Sequence, residues 1–338
     1  MERKIMSLGR SSLVISLPRH WTRLNGLNKG DVVSLAVQRD RSLVVFPGGE
    51  RKREPKEMTL HIDADEKESL IVRKLIGCYL NGYSGIKITS SNILSVPQRK
   101  AIRNIVRMLY MRVMDSDAKT VYIQTLIDES KAQLELAINR MYLISRSMCT
   151  DALNSLKNQD TMLAKAVFSL DDDVDHFSFF ILRLLRNAAQ DTVLANELNI
   201  DPLDCMDHQT LVYSVEHAAD YAADIAKHII MLEERKLKIP NHLLGLMFST
   251  GNEAVDLYDK AVKTFFSKDL NSSVQILEGR QRIEKLDQEI ASKAFMTKQE
   301  DAAIVCAICS IRDDLKKIAE AAADIAEIAT DRAYKMTT

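Results

Sequence analysis

The chain has 338 residues, 46 Lys and Arg against 47 Asp and Glu, and 46% hydrophobic residues. It is nearly neutral as a whole, yet residues 1–57 hold twelve Lys and Arg against six Asp and Glu, so a basic head precedes a mildly acidic body. Five scattered cysteines, an odd number, exclude a disulfide framework, and no apolar run reaches the length of a membrane span. No signal peptide opens the sequence, so a cytoplasmic protein is expected.

Residues 3–47 read RKIMSLGRSSLVISLPRHWTRLNGLNKGDVVSLAVQRDRSLVVFP. Two short β segments flank Gly9, and Val14, Ile15 and Leu17 favour extended backbone up to Pro18. Pro18 then opens a helical turn, because a proline at the start of a helix lacks only an N–H that is not needed there. Gly30 and Asp31 favour a tight turn. Val32 to Val37 and Leu43 to Phe46 flank Arg39-Asp40-Arg41-Ser42, the pattern of a hairpin. Strands so short and so few cannot bury a core alone.

Through its LPRHW and NKGD elements this segment resembles the SpoVT/AbrB (MazE-like) DNA-binding domain. The resemblance implies a domain over residues 1–50 that interleaves hairpins from two chains, hence a homodimer, and that binds DNA. An excess of basic residues is also the electrostatic footprint of a nucleic-acid binder. Lys4, Arg10, Ser12, Arg19 and Arg23 are the expected DNA-contacting residues. The competing reading is a solubilising basic terminus, but Arg10, Arg19 and Arg23 sit inside the motif and not in a tail.

A charged linker at 48–57 separates the head from residues 58–117, a small α/β unit. Met58 to Ile62 and Ile86 to Thr89 read as strands, and Glu66 to Leu80 and Pro97 to Tyr110 as helices. The second helix is rich in Arg99, Lys100, Arg103 and Arg107, which reads as a solvated face before it reads as a DNA contact. Eight of the 11 glycines and four of the six prolines precede residue 117, and few breakers follow. Six helices are expected at 122–157, 160–190, 204–236, 241–267, 269–298 and 300–335, and their short connections imply two three-helix bundles, over 120–236 and 241–335. The expected fold is mainly α: two tandem bundles preceded by a small β swapped-hairpin domain and a small α/β unit.

The two halves look like an internal repeat. The third helix contains VEHAADYAADIAKHI and the sixth LKKIAEAAADIAEIA, and aligning Asp224 with Asp324 sets Asp220 against Glu320 and Glu216 against Lys316. The second helix carries Asp172-Asp-Val-Asp175 and the fifth Glu284-Lys-Leu-Asp287. Glu216, Asp220 and Asp224 fall on one strip, beside a core face of Val212, Val215, Ala219, Ala222, Ala226 and Ile230. Taken by itself, such a strip is a solvated acidic face.

These tandem bundles with E/DxxxD helices resemble PhoU, the phosphate-uptake regulator, over residues 122–335. The resemblance implies metal, iron or another divalent ion, held on the outer surface of each bundle, and hard oxygen donors suit such cations. Carried over residue by residue, one site would use Asp172, Asp175, Glu216, Asp220 and Asp224, and a second Glu284, Asp287, Glu320 and Asp324. Lys316 replaces one ligand of the second site with a positive charge.

The sequence lacks Glu-x-x-His pairs of diiron enzymes, a Walker-type loop, GxGxxG and GxSxG, so an enzyme is not expected. Cys306-Ala-Ile-Cys309 reads as two small buried residues one turn apart. The domain order resembles that of archaeal PhoU-related proteins and implies a phosphate-responsive transcriptional regulator that grips DNA as a dimer. A second reading is an adaptor that negatively regulates a phosphate transporter or signalling kinase by protein contact, without DNA. A third, an antidote holding a toxin, fits less well, because a long helical body stands where such antidotes carry a disordered tail.

Overall fold

The computed structural model describes residues 2–37, 41–48, 55–296 and 301–335. The expected hairpin tip at Arg39-Asp40, most of the charged linker at 48–57 and the helix break at 297–300 lie outside the described residues. The chain divides after Glu54 into two units.

The first unit contains β1 (Met6–Leu8), β2 (Ser12–Val14), α1 (Arg19–Leu24), β3 (Val33–Val37) and β4 (Leu43–Pro47). β1 and β2 pair antiparallel around Gly9, whose φ of +72° disfavours a residue with a Cβ. β3 and β4 pair antiparallel with Leu35 opposite Val45. Pro18 stands extended at the N-cap of α1. No described residue of this unit is buried, and Leu8, Leu13, Leu24 and Leu35 are all more than 60% exposed. Two small hairpins and a short helix do not close a core.

The second unit begins with an α/β layer: β5 (Glu57–Ile62), α2 (Glu68–Leu80), β6 (Gly85–Ser90), α3 (Val96–Met108), β7 (Met111–Ser116) and β8 (Thr120–Thr125). The strand order is β5-β6-β8-β7, with β5 and β6 parallel and the other pairs antiparallel. Ile62, Ile86, Ile88 and Ile123 alternate onto one buried face, which packs against Ile71, Leu75 and Tyr79 of α2 and Ile102 and Val106 of α3. Ser95 and Gln98 close a capping box at the start of α3, which fixes the helix register.

The helix expected to start at residue 122 starts instead at Leu134, as α4 (Leu134–Asn158). Residues 120–125 are Thr-Val-Tyr-Ile-Gln-Thr, β-branched and alternating, with Val121 and Ile123 buried; they form β8, and period two prevails over the helical extension. The other long helices fall close to their expected bounds: α5 (Thr161–Ala188), α7 (Pro202–Glu234), α8 (Asn241–Ser267), α9 (Leu270–Met296) and α10 (Ala302–Ala333). A short α6 (Thr192–Glu197), not expected, fills the connection between α5 and α7. Side chains of Asp160, Asp191, Asp201 and Asp301 accept backbone N–H bonds at helix starts, which is why the breaks are acidic.

α4, α5 and α7 pack as one three-helix set, and α8, α9 and α10 as another. The sets share one core, because α7 packs on α10 and α4 on α8. Gly251 of α8 permits a close crossing: a Cβ there would lie 2.2 Å from Leu153 Cδ2. On α10 the buried stripe is Ile304, Ala307, Ile308 and Ile311, which leaves Cys306 and Cys309 exposed, not buried as expected. No described helix is long and apolar enough to cross a membrane.

Candidate functional site

The buried faces of α5 and α7 fix where their carboxylates go. Val174 and Ser178 point α5 inward, and Val215, Ala219 and Ala222 do so for α7. Asp171, Asp175, Glu216 and Asp220 then lie half-buried at the border of the two helices. Burial pushes the Glu216 carboxyl up to about 7, aided by the charges of Asp220, Asp175 and Asp171. Burial likewise raises Asp175 to about 6, with Asp171, Asp220 and Asp172 adding to the rise. Asp220 and Asp171 are raised by the same causes, burial first. Asp224 stands at the edge, ion-paired at 2.6 Å to Lys227.

Of the expected first-site residues, the structure therefore brings Asp175, Glu216 and Asp220 together, keeps Asp224 beside them, and leaves Asp172 exposed. Asp171 joins the group although the motif reading passed over it. It lies one turn before Asp175, so helical periodicity puts those two on a common face. Asp314 of α10 also joins from the side; burial and the Asp224 charge push it up to about 7 against Lys317.

The donors are all hard oxygens, and their mutual repulsion is what a bound cation would relieve. In donor chemistry the set fits a divalent or iron ion. It is not a closed cage: among the described residues no three or more Asp, Glu, His or Cys side chains are arranged to hold a metal ion.

The second-site residues are not gathered in the same way. Asp287 is ion-paired with Arg312 at 2.9 Å, and Glu284 is exposed on α9. Asp324 is raised by burial and then by Glu327 and Glu320, while Arg280 works against the rise. Lys316 and Lys317 pair with Asp313.

In the first unit, Lys4, Arg10, Ser12, Arg19 and Arg23 are all exposed. Arg10 lies in the turn between β1 and β2, and Arg19 and Arg23 are one turn apart on α1, hence on one face. The Asp31 carboxylate accepts the Asn28 N–H at 2.6 Å and closes the turn that leads from α1 to β3.

A buried polar joint went unread in the sequence. Arg183 of α5 is 2% exposed; it pairs with Glu129 and donates to the carbonyls of Tyr79 and Tyr83, the latter at 2.9 Å. Asn187, one turn on, donates to the other Glu129 oxygen at 2.9 Å. The joint ties the α/β layer to the helical body.

The molecule is thus a mostly helical double three-helix fold with a small strand-rich N-terminal unit. Residues 138–229, from α4 to α7, match the family model described as PhoU domain. PhoU from Pseudomonas aeruginosa is similar in structure, with a TM-score of 0.51 and 19% identity over 58% of this chain and 93% of that one. The phosphate transport system regulatory protein PhoU from Streptococcus pneumoniae is similar too, with a TM-score of 0.51 and 17% identity over 61% of this chain and 95% of that one. No curated protein matches the chain. The helical body thus has a PhoU-like fold, and the match to the PhoU domain model is confined to α4, α5, α6 and α7.

Proposed function

We propose that the protein is a phosphate-responsive transcriptional regulator of PhoU type, with an AbrB-like head that binds DNA as a homodimer. One observation carries this reading: a PhoU-like helical body shares its chain with a basic unit in which no described residue is buried. The exposed Leu8, Leu13, Leu24 and Leu35 ask for a second copy of that unit, whose apolar faces would cover them. Arg10, Arg19 and Arg23 stay exposed and are suited to phosphate and base-edge contacts. The helical body would sense phosphate status, and the acidic border of α5 and α7 is where a divalent or iron ion would be drawn. A change in body–body contacts would then alter how the two heads are presented.

Duplex binding by the full chain, followed by fluorescence anisotropy at rising salt, tests the head. Arg10→Ala with Arg19→Ala should weaken binding and leave helical content intact. Normal binding by that variant would overturn the assignment of the head surface.

A second reading has its own support. The similar Streptococcus pneumoniae protein is described as a phosphate transport system regulatory protein. An adaptor of that kind would act on a phosphate transporter or signalling kinase by protein contact, and its head would serve only to dimerise. Absence of any salt-sensitive duplex binding, together with co-purification of a transporter subunit or kinase, would favour the adaptor.

A further inference from the structure

α3 carries Arg99, Lys100, Arg103 and Arg107 and no acidic residue between Val96 and Met108. Its core face is fixed by Gln98, Ile102, Ile105 and Val106, which are buried, so the opposite face is fixed as basic. Lys100, Arg103, Asn104 and Arg107 are exposed, and with Val96 and Arg99 they line an open groove of about 430 Å³.

Arg99 has a structural task. It donates to the Leu94 carbonyl at 3.3 Å, to Ser116 Oγ at 3.3 Å and to the Asp117 carbonyl at 2.6 Å, and so fastens α3 to the β7–β8 turn. Lys100, Arg103 and Arg107 have none. Among the described residues no ion pair or side-chain hydrogen bond engages them. Like charges three and four residues apart on a helix repel, so this arrangement gains nothing from the fold itself.

We infer that this face of α3 is a second, sequence-independent contact surface for the phosphate backbone of duplex DNA. The inference rests on the proposed DNA binding only in taking the same ligand. The three cations are strung along the helix. At about 1.5 Å per residue, Lys100 to Arg107 spans about 10 Å, so the cations form a row along the helix, as the phosphates of a duplex strand form a row along its backbone. A single small anion would require donors that converge. No aromatic side chain lines the groove, so it offers no platform for the bases of a single strand. An anionic lipid surface fits less well, because the apolar face of α3 is already buried against the sheet and cannot insert.

The test compares three variants of the full chain on a random-sequence duplex between about 50 and about 200 mM salt. Lys100→Gln/Arg103→Gln/Arg107→Gln should flatten the slope of log affinity against log salt by about 2.7 for each chain whose α3 touches the duplex, at about 0.9 per phosphate, so that wild type loses at least about 40-fold more affinity than the variant over that range. Arg103→Lys/Arg107→Lys should keep the wild-type slope, since a backbone contact needs charge and not a guanidinium fork. Arg10→Ala/Arg19→Ala tests the head separately.

A wild-type slope in the triple Gln variant, with binding lost in the head variant, overturns this inference and leaves the head reading standing. Loss in the triple variant with normal binding by the head variant supports α3 and overturns the head. No duplex binding by wild type overturns both. A flattened slope in the Lys variant overturns the backbone contact. Lost binding to phosphatidylglycerol vesicles with an unchanged duplex slope assigns the face to lipid and also overturns it.

Discussion

Removal of the Arg183 side chain is the sharpest perturbation of this fold. The guanidinium is almost fully buried, pairs with the mostly buried Glu129, donates to two carbonyls at the end of α2, and lies 4.7 Å from the Tyr79 ring centroid. Arg183→Ala strands the carboxylate of Glu129 and leaves the Tyr79 and Tyr83 carbonyls without this donor. Breaking a buried pair from one side costs about 3–5 kcal/mol, because the remaining charge stays desolvated. Asn187 still donates to Glu129 and offsets part of that, so a loss of about 3–4 kcal/mol is expected. Removing both charges is a different perturbation: Arg183→Met with Glu129→Leu leaves no unpaired ion and should cost about 2 kcal/mol less than the sum of the single variants. Urea denaturation followed by helical circular dichroism measures all four corners of the cycle. A loss below about 1 kcal/mol for Arg183→Ala, the range of an exposed pair, would refute the argument. So would additivity in the double variant.

Other consequences can be measured on the same protein. Glu216 sits at about 7, above its usual 4.5, because burial and the neighbouring acids favour the protonated form. A raised pKa in the fold gives stability that is complete below about pH 4.5 and lost as pH rises through about 7. The full linkage value is about 3 kcal/mol, which solvent screening at this half-buried position reduces to about 1–2 kcal/mol. In chelator, Tm should therefore be lower at pH 8 than at pH 5.5, and Glu216→Gln should narrow the gap; an unchanged gap would show that the raised pKa does not govern stability. Gly251→Val drives a side chain into Leu153 and Leu315 where α8 crosses α4 and α10, and should lower stability by about 1–3 kcal/mol in the same urea assay. Gly82 has φ +85°, and a Cβ there would lie 2.4 Å from Asn187 Oδ1. Gly82→Ala should thus both strain the backbone and displace Asn187, and hydrogen exchange at the α2–β6 turn should quicken.

Much of this architecture was legible, and the failures have physical causes. Helix breaks were readable because aspartates cap the following helices, as at Asp160 and Asp301. Residues 120–125 misled because their long apolar continuation masked a period-two pattern that only pairing with β6 and β7 makes decisive. The candidate carboxylate site was readable on α7, where Glu216 and Asp220 keep a strict four-residue spacing. On α5 it was readable only in part, because four aspartates among five residues do not say which of them turn inward; Val174 and Ser178 decide that in favour of Asp171 and Asp175. Arg183 carries no local signal at all. Its partners Glu129, Tyr79 and Tyr83 are at least 54 positions away in the chain, so its burial is a property of the tertiary fold.

The two halves of the repeat share their helices and differ in their electrostatics, and that difference sets an expectation for metal content. In the first half, Asp171, Asp175, Glu216 and Asp220 oppose one another, and among the described residues they are offset only by His217, which acts on Asp220, and by Lys227, which Asp224 holds at the edge. In the second half the chain supplies its own cations: Arg312 takes Asp287, Lys316 and Lys317 take Asp313, and Arg280 lies by Asp324. A hard divalent ion gains most where carboxylate charge is uncompensated and must displace an ion pair where it is not. On the proposed reading, binding is therefore expected to be stronger in the first half than in the second, through carboxylate oxygens. Asp175→Asn with Asp220→Asn should lower the metal content of protein purified without chelator, read by elemental analysis, whereas Asp287→Asn should leave it unchanged. Equal losses from the two substitutions would mean that charge compensation does not decide where the ion sits, and the electrostatic contrast between the halves would have to be explained by packing alone.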